Sequence, residues 1–209
     1  VNVITLEADT LATSYIFGRH SIRRMEDIID IIPKNGIFLL KLFSDEKCDE
    51  LKKIIDETCT VDESKLTENT HVKCFTTSNT EWINTTNDLT RYIKTQIELL
   101  SFILSTRYGI SNRCVLNPQL RKIYGPTNLH FDGINDSGGT KRNLAFIVAL
   151  NDDYEGGEIV FPLQDYKVKL KKGQVIVFPP YWTHPHRTQE LKNGTFRYTI
   201  NNWLVEDFL

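Results

Sequence analysis

His130-Phe131-Asp132 is the part of the chain best equipped for chemistry. On a β-strand, residues i and i+2 point to one face, so the imidazole and the carboxylate project together while Phe131 faces away. Alone the pair is a weak signal, but with a second histidine it would complete a 2-His-1-carboxylate triad, the set that caps one face of an Fe(II) octahedron and leaves three positions for substrate and O2. A second histidine must then arrive from a distant part of the chain. His184 and His186, in the run FPPYWTHPH at 178–186, are the candidates. Read alone, they are equally a pair of surface histidines in a Pro-rich turn.

Eleven residues beyond His186 stands Arg197, in the run FRYT. Strand alternation puts Arg197 and Thr199 on one face. A guanidinium beside a hydroxyl suits a carboxylate, because the planar fork can hold both oxygens. In isolation such an arginine is more often a salt-bridged strand residue.

These residues need elements to hold them, and the rhythm of the chain supplies candidates. The N-terminal half has helical periodicity. A compact apolar run at 36–43 predicts a buried strand, and Ser44 followed by Asp45 and Glu46 predicts a helix start over 45–59. A second helix is predicted over 87–107, capped by Asn87 or Thr86, with Leu89, Ile93, Ile97, Leu100 and Leu104 as a stripe that packs on a sheet. After Asn117-Pro118 the period shortens, and strands are expected at 119–124, 143–150, 158–161, 166–170, 174–178 and 197–203. Turn signals such as Gly156-Gly157 and Asn193-Gly194 separate them. Many short strands with helices to one side predict an α+β fold built on a sandwich or barrel.

Composition sets limits on the whole. The chain has 209 residues and a net charge of −2, with 40% hydrophobic and 25% charged residues, as an ordinary globular protein has. It carries too much Ile, Leu and Phe for a disordered chain, and no apolar run approaches a membrane span. The near-neutral balance argues against a nucleic-acid binder driven by bulk charge, since the basic clusters at 19–24 and 167–172 are short. Cys48, Cys59, Cys74 and Cys114 have no zinc-like spacing and read as reduced thiols. With no signal peptide and no initiator Met, the cytoplasm is the default expectation, and Val1 fits a processed protein or a piece of a longer one.

The order of these features resembles the 2-oxoglutarate- and Fe(II)-dependent dioxygenases, in the group of the prolyl 4-hydroxylases and collagen lysyl hydroxylases. The resemblance rests on H-x-D, then NDDYEGGE at 151–158 with Phe161-Pro162, a strand ending in Phe-Pro, a histidine, Gly194 and Arg197, over residues 116–204. The D-Y-E-G-G and T-H-x-H features are similar to those of the lysyl hydroxylase catalytic domain. The resemblance implies one domain over 1–209: a supporting region at 1–115 and a double-stranded β-helix (jelly-roll) core at 116–205. It implies His130, Asp132 and His186 as iron ligands with His184 as the rival. Arg197 would anchor 2-oxoglutarate, helped by Tyr124 and Thr199. The family spaces the distal histidine and the basic residue by ten, against eleven here, which a bulge at 194–196 would absorb. If Arg197 is not the anchor, Lys141 or Arg142 is next. Implied cofactors are Fe(II) and 2-oxoglutarate, with ascorbate as an auxiliary. In that chemistry 2-oxoglutarate is decarboxylated to succinate while a C–H bond of peptidyl lysine or proline is hydroxylated.

Two other readings differ in class or substrate. One is a non-catalytic jelly-roll module that binds metal or ligand without turnover, although such modules usually lose a member of the site. The other is a dioxygenase acting on a nucleobase or a free amino acid. Partners expected are O2 and a peptide or protein substrate, with no membrane and self-association left open. The segments 71–82 and 135–141 carry no readable substrate code.

Overall fold

In the computed structural model the described residues are 35–58, 72–76, 88–110, 112–114, 118–133 and 141–206. The capping residues proposed at 86–87, the basic cluster at 19–24 and most of the segments 71–82 and 135–141 lie outside them.

The first described elements are strand β1 (Phe38–Lys41) and helix α1 (Asp45–Thr58). Ser44 caps α1 as its sequence predicts, its Oγ accepting from the Lys47 N–H at 3.3 Å, and its own N–H donates to Tyr92 Oη. Strand β2 (Val72–Thr76), helix α2 (Asp88–Tyr108) and strand β3 (Asn112–Cys114) follow. Ile93, Ile97, Leu100 and Leu104 are buried along α2, as the stripe predicts. They pack with Cys48, Leu51 and Ile55 of α1 into one cluster with the sheet. Each such side chain contributes about 1.5–3 kcal/mol of burial.

The remaining strands are β4 (Gln119–His130), β5 (Arg142–Ala149), β6 (Glu155–Gly156), β7 (Ile159–Phe161), β8 (Tyr166–Val168), β9 (Gln174–Phe178), β10 (His186–Thr188), β11 (Leu191–Lys192) and β12 (Arg197–Glu206). β6 and β11 pair with each other as a separate two-stranded ribbon, and the others build a curled antiparallel sheet. The main sheet runs β1-β9-β5-β12-β4-β10-β7-β8, with β2 also pairing β4 and β3 also pairing β12. It is a jelly-roll core with two helices against it. β5 is apolar on both faces because both are covered. Leu144, Phe146 and Val148 join the helix cluster, while Ala145, Ile147 and Ala149 join a second cluster with Phe161, Ile176 and Phe178.

β4 positions the site. Its first half pairs β12 (Arg197↔Ile123, Thr199↔Arg121) and its last residues pair β10 (Thr188↔Thr127, His186↔His130). Between those last two pairs β10 advances by two residues and β4 by three, so β4 carries one extra residue there. Residues 194–196, where the spacing predicts a bulge, lie ahead of β12 and outside any strand pair. There the chain makes a turn instead, with Asn193 and Gly194 at positive φ and the Thr195 N–H donating to the Lys192 carbonyl.

Candidate metal centre and cosubstrate cavity

His130 ends β4 and Asp132 follows it, while His186 opens β10 directly opposite. The three side chains converge: Asp132 Oδ1 lies 3.7 Å from His130 Nε2 and 3.8 Å from His186 Nε2. All three donor atoms lie within 4.8 Å of one another, the one such group of three among the described residues. The orientation of each ring is fixed from behind. His130 Nδ1 sits 2.7 Å from the Asn128 carbonyl and His186 Nδ1 sits 3.2 Å from the His184 carbonyl. A carbonyl only accepts, so each Nδ1 carries the proton and each Nε2 offers its lone pair inward. Trp203 Nε1 donates to Asp132 Oδ2 at 2.9 Å, which leaves Oδ1 for the centre. Inward lone pairs and a held carboxylate are what a divalent cation requires, so the donor set fits Fe(II).

Burial lowers the basicity of His186, packed between Phe161 and Phe178, while the neighbouring Asp132 pulls the other way. The net shift is below the ordinary histidine value, which keeps the imidazole neutral and available as a ligand. His184 is engaged elsewhere. Its Nε2 contacts the Asn35 carbonyl at 2.8 Å and its Nδ1 contacts Thr183 Oγ1 at 2.9 Å. The histidine that the structure brings to the cluster is His186.

The cluster opens into a cavity of about 330 Å³. Arg197 forms part of its wall, only 5% exposed, with Nη1 donating to the Gly157 carbonyl at 2.8 Å. That carbonyl is presented by the Gly156-Gly157 pair, both at positive φ; a Cβ on Gly156 would stand 2.1 Å from the Glu190 carbonyl oxygen. Asn151 clips the strand on either side of Arg197, donating to the Phe196 carbonyl and accepting from the Tyr198 N–H. Thr199 is buried but does not line the cavity; its hydroxyl donates to Asn201 Oδ1, and Asn201 is on the wall.

Tyr124 is not among the lining residues, and the β4 residues that are include Arg121, Ile123 and Thr127. Alternation counted back from His130 puts Tyr124 on the site face, but the extra residue between Thr127 and His130 inverts the phase upstream. Arg142, a fallback anchor in the sequence, holds the metal-centre loop instead. Its Nη1 donates to the Asp132 carbonyl at 2.7 Å and its guanidinium lies 3.8 Å from the centre of the Trp203 ring.

Sequence reasoning overlooked three contributions. Trp203 shares the Arg197 strand face, so alternation extended by six residues would have found it. Thr127 and Thr188 form a reciprocal clasp, each hydroxyl accepting from the other's N–H, at 3.0 and 2.7 Å. The clasp fixes β10 against β4 beside the two histidines, and no sequence signal marks it. Arg121 shares the cavity face with Ile123 and Thr127, a phase that alternation from His130 does not give.

Residues 119–205 match the family described as the 2OG-Fe(II) oxygenase superfamily. This segment is a 2OG-Fe(II) oxygenase domain. The oxygenase fold extends beyond it. The chain is similar to a viral collagen prolyl hydroxylase from Paramecium Bursaria Chlorella virus-1, at 19% identity and TM-score 0.61, over 82% of this chain and 97% of that one. It is similar to a Pseudomonas putida prolyl-4-hydroxylase at 12% identity and TM-score 0.59, over 83% and 94%. A Trichoplax adhaerens prolyl hydroxylase in complex with a hypoxia inducible factor oxygen degradation domain peptide matches at 15% identity and TM-score 0.62, over 84% and 86%. At these identities the likeness is one of fold. No curated protein matches the sequence. The oxygenase is a dioxygenase whose cofactor is Fe(II) and whose cosubstrate is 2-oxoglutarate.

Proposed function

We propose that the enzyme hydroxylates peptidyl proline, with His130, Asp132 and His186 holding Fe(II) and Arg197 anchoring the distal carboxylate of 2-oxoglutarate. The observation that carries this reading is the convergence of the three donors on a cavity walled by a buried arginine. Iron and 2-oxoglutarate together supply the oxidation that releases succinate and CO2 and puts one oxygen atom of O2 into a C–H bond. The protein's residues bind, orient and exclude water. Trp203 and Arg142 hold Asp132 from two sides, and Gly157 holds the Arg197 fork toward the cavity.

Charge favours proline over lysine. The described cavity wall carries two guanidinia, Arg121 and Arg197, and one carboxylate, Asp132, which is committed to the metal centre. A lysine ammonium would need an anionic partner, and the one carboxylate on the described wall is already engaged, whereas a proline ring needs none. The exposed Phe131 at the mouth offers an apolar face to such a ring.

The test is succinate release from 2-oxoglutarate with Fe(II), against peptides containing proline or lysine, with the product located by mass spectrometry. Oxygen added to proline is the expected result. Oxygen added only to lysine would overturn the substrate assignment and leave the dioxygenase chemistry intact.

A further inference from the structure

The clasp between Thr127 and Thr188 has one hydrogen-bond donor more than it uses. Both residues line the cavity, and they are only 8% and 5% exposed. Each hydroxyl oxygen accepts the other residue's N–H, and the two oxygens stand 3.1 Å apart, so one hydroxyl donates to the other. A threonine hydroxyl has a single proton to give. The pair therefore carries two such protons and spends one internally. Neither hydroxyl has a further partner among the described residues. A buried donor is costly unless it meets an acceptor, so the second proton calls for one in the cavity.

The place of the clasp identifies that acceptor. On β10 burial alternates, with His186 and Thr188 inward and Arg187 outward, so Thr188 stands one same-face step from a metal-centre histidine, about 6–7 Å along the strand. On β4, Thr127 lies between His130, which is opposite His186, and Ile123, which is opposite Arg197. A molecule that reaches from the metal centre to Arg197 has to pass the clasp. With its keto acid end at the metal, 2-oxoglutarate has one other polar group, the distal carboxylate. That group accepts several hydrogen bonds, while Arg197 already gives one N–H to the Gly157 carbonyl. Tyr124, expected from the sequence to assist Arg197, is not on the wall; the hydroxyls on the described wall are those of Thr127 and Thr188.

Resting on the reading that Arg197 anchors 2-oxoglutarate, we propose that the Thr127–Thr188 pair is a second binding element for the distal carboxylate, to which it donates the hydroxyl proton that the clasp leaves over. The pair takes the role expected of Tyr124.

The experiment uses the full chain. Calorimetry gives its affinity for Mn(II), and then the affinity of the Mn(II)-loaded protein for N-oxalylglycine, so that binding is read without turnover. T127V/T188V removes both hydroxyls at nearly constant shape. It should bind N-oxalylglycine roughly tenfold or more weakly, as expected for a lost hydrogen bond to a charged group. Its Mn(II) affinity should change by less than about threefold, and T127S/T188S should restore N-oxalylglycine binding to within about threefold. A crystal structure of the wild-type complex needs no variant to fold, and there one of the two hydroxyl oxygens should stand within about 3 Å of the distal carboxylate. Hydroxyls out of reach of that carboxylate, or unchanged N-oxalylglycine affinity in T127V/T188V, would overturn the proposal. Equal losses of Mn(II) and N-oxalylglycine affinity would make the clasp structural only, and would overturn it too. These three outcomes leave the Arg197 anchor standing, whereas a wild-type chain that bound Mn(II) but no N-oxalylglycine would overturn both.

Discussion

At the residue scale, the site depends on hydrogen bonds that reach the three donor side chains from behind as much as on the donors themselves. Trp203 Nε1 holds one Asp132 oxygen so that the other faces the two imidazoles. Removing the donor while keeping an aromatic ring, as in Trp203→Phe, should weaken Fe(II) or Co(II) affinity by about 10-fold, within the range typical of such outer partners. Competition titration with a chelating dye measures this, and unchanged affinity would show that the carboxylate needs no help. In the proposed function Arg197 acts on the cosubstrate. Leaving a buried carboxylate unpaired typically costs about 2–5 kcal/mol, so Arg197→Ala should raise the 2-oxoglutarate requirement roughly 30-fold or more. Arg197→Lys should recover only part, because an ammonium cannot reproduce the fork. Titrating 2-oxoglutarate at saturating Fe(II) separates this effect from metal loss. Thr199→Val should cost less than either, since its hydroxyl reaches the cavity only through Asn201.

At the element scale, α1 is tied to the two strands that build the cavity. Asp56 of α1 accepts from Lys122 of β4 and from Tyr198 Oη of β12. Partial burial pushes the Asp56 carboxyl up, but the hydrogen bonds from Lys122 and Tyr198 outweigh it and hold the group below the ordinary aspartate range. A carboxyl depressed on folding contributes stability above its unfolded value, near 3.9, and loses that contribution as the pH falls through the folded value. Asp56→Asn should therefore destabilise the protein at pH 7 by an amount on the order of 0.5 kcal/mol, modest because the pair is partly exposed. Near pH 3 the difference from the wild type should be much smaller. Urea midpoints at the two pH values test this, and an equal difference at both would mean the ion pair contributes nothing. A second link at this scale is Asn151, whose amide holds both neighbours of Arg197 in place and makes the loop before β6 a support for that arginine.

At the scale of the whole molecule, the metal centre joins β4 to β10 across the curl of the sheet. An ion bound there only in the folded state stabilises that state by mass action, by about 2.7 kcal/mol at 100 times its dissociation constant. For a domain of this size that raises Tm by roughly 5–10 °C. Scanning calorimetry with Mn(II) and then with a chelator should show the rise and its reversal in the wild-type chain, and little of either in Asp132→Ala. A metal-dependent rise that survived in that variant would place the stabilising ion elsewhere. The hydrophobic core is divided in two around the same sheet, with the helix cluster on one side and the Phe161–Phe178 cluster, which supports His186, on the other. Metal binding and core packing are therefore coupled through a strand that is only three residues long.

Local periodicity made part of the site legible before any tertiary contact is considered. The α2 stripe, the Ser44 cap, the shared projection of His130 and Asp132 and the inward face of Arg197 all follow from repeats of 3.6 or 2 within one element. Which histidine joins them was decided by tertiary structure. β10 is three residues of His, Arg and Thr with no apolar alternation, so only its pairing with β4 identifies it as a strand and sets His186 opposite His130. The same holds for Tyr124, Arg121 and Ile123: one extra residue in β4 inverts which of them face the cavity, and that residue is defined only against the partner strand. Local pattern fixes the direction of a side chain relative to its own strand. The choice of site-facing residues depends on register between strands distant in sequence, and that is set by long-range pairing.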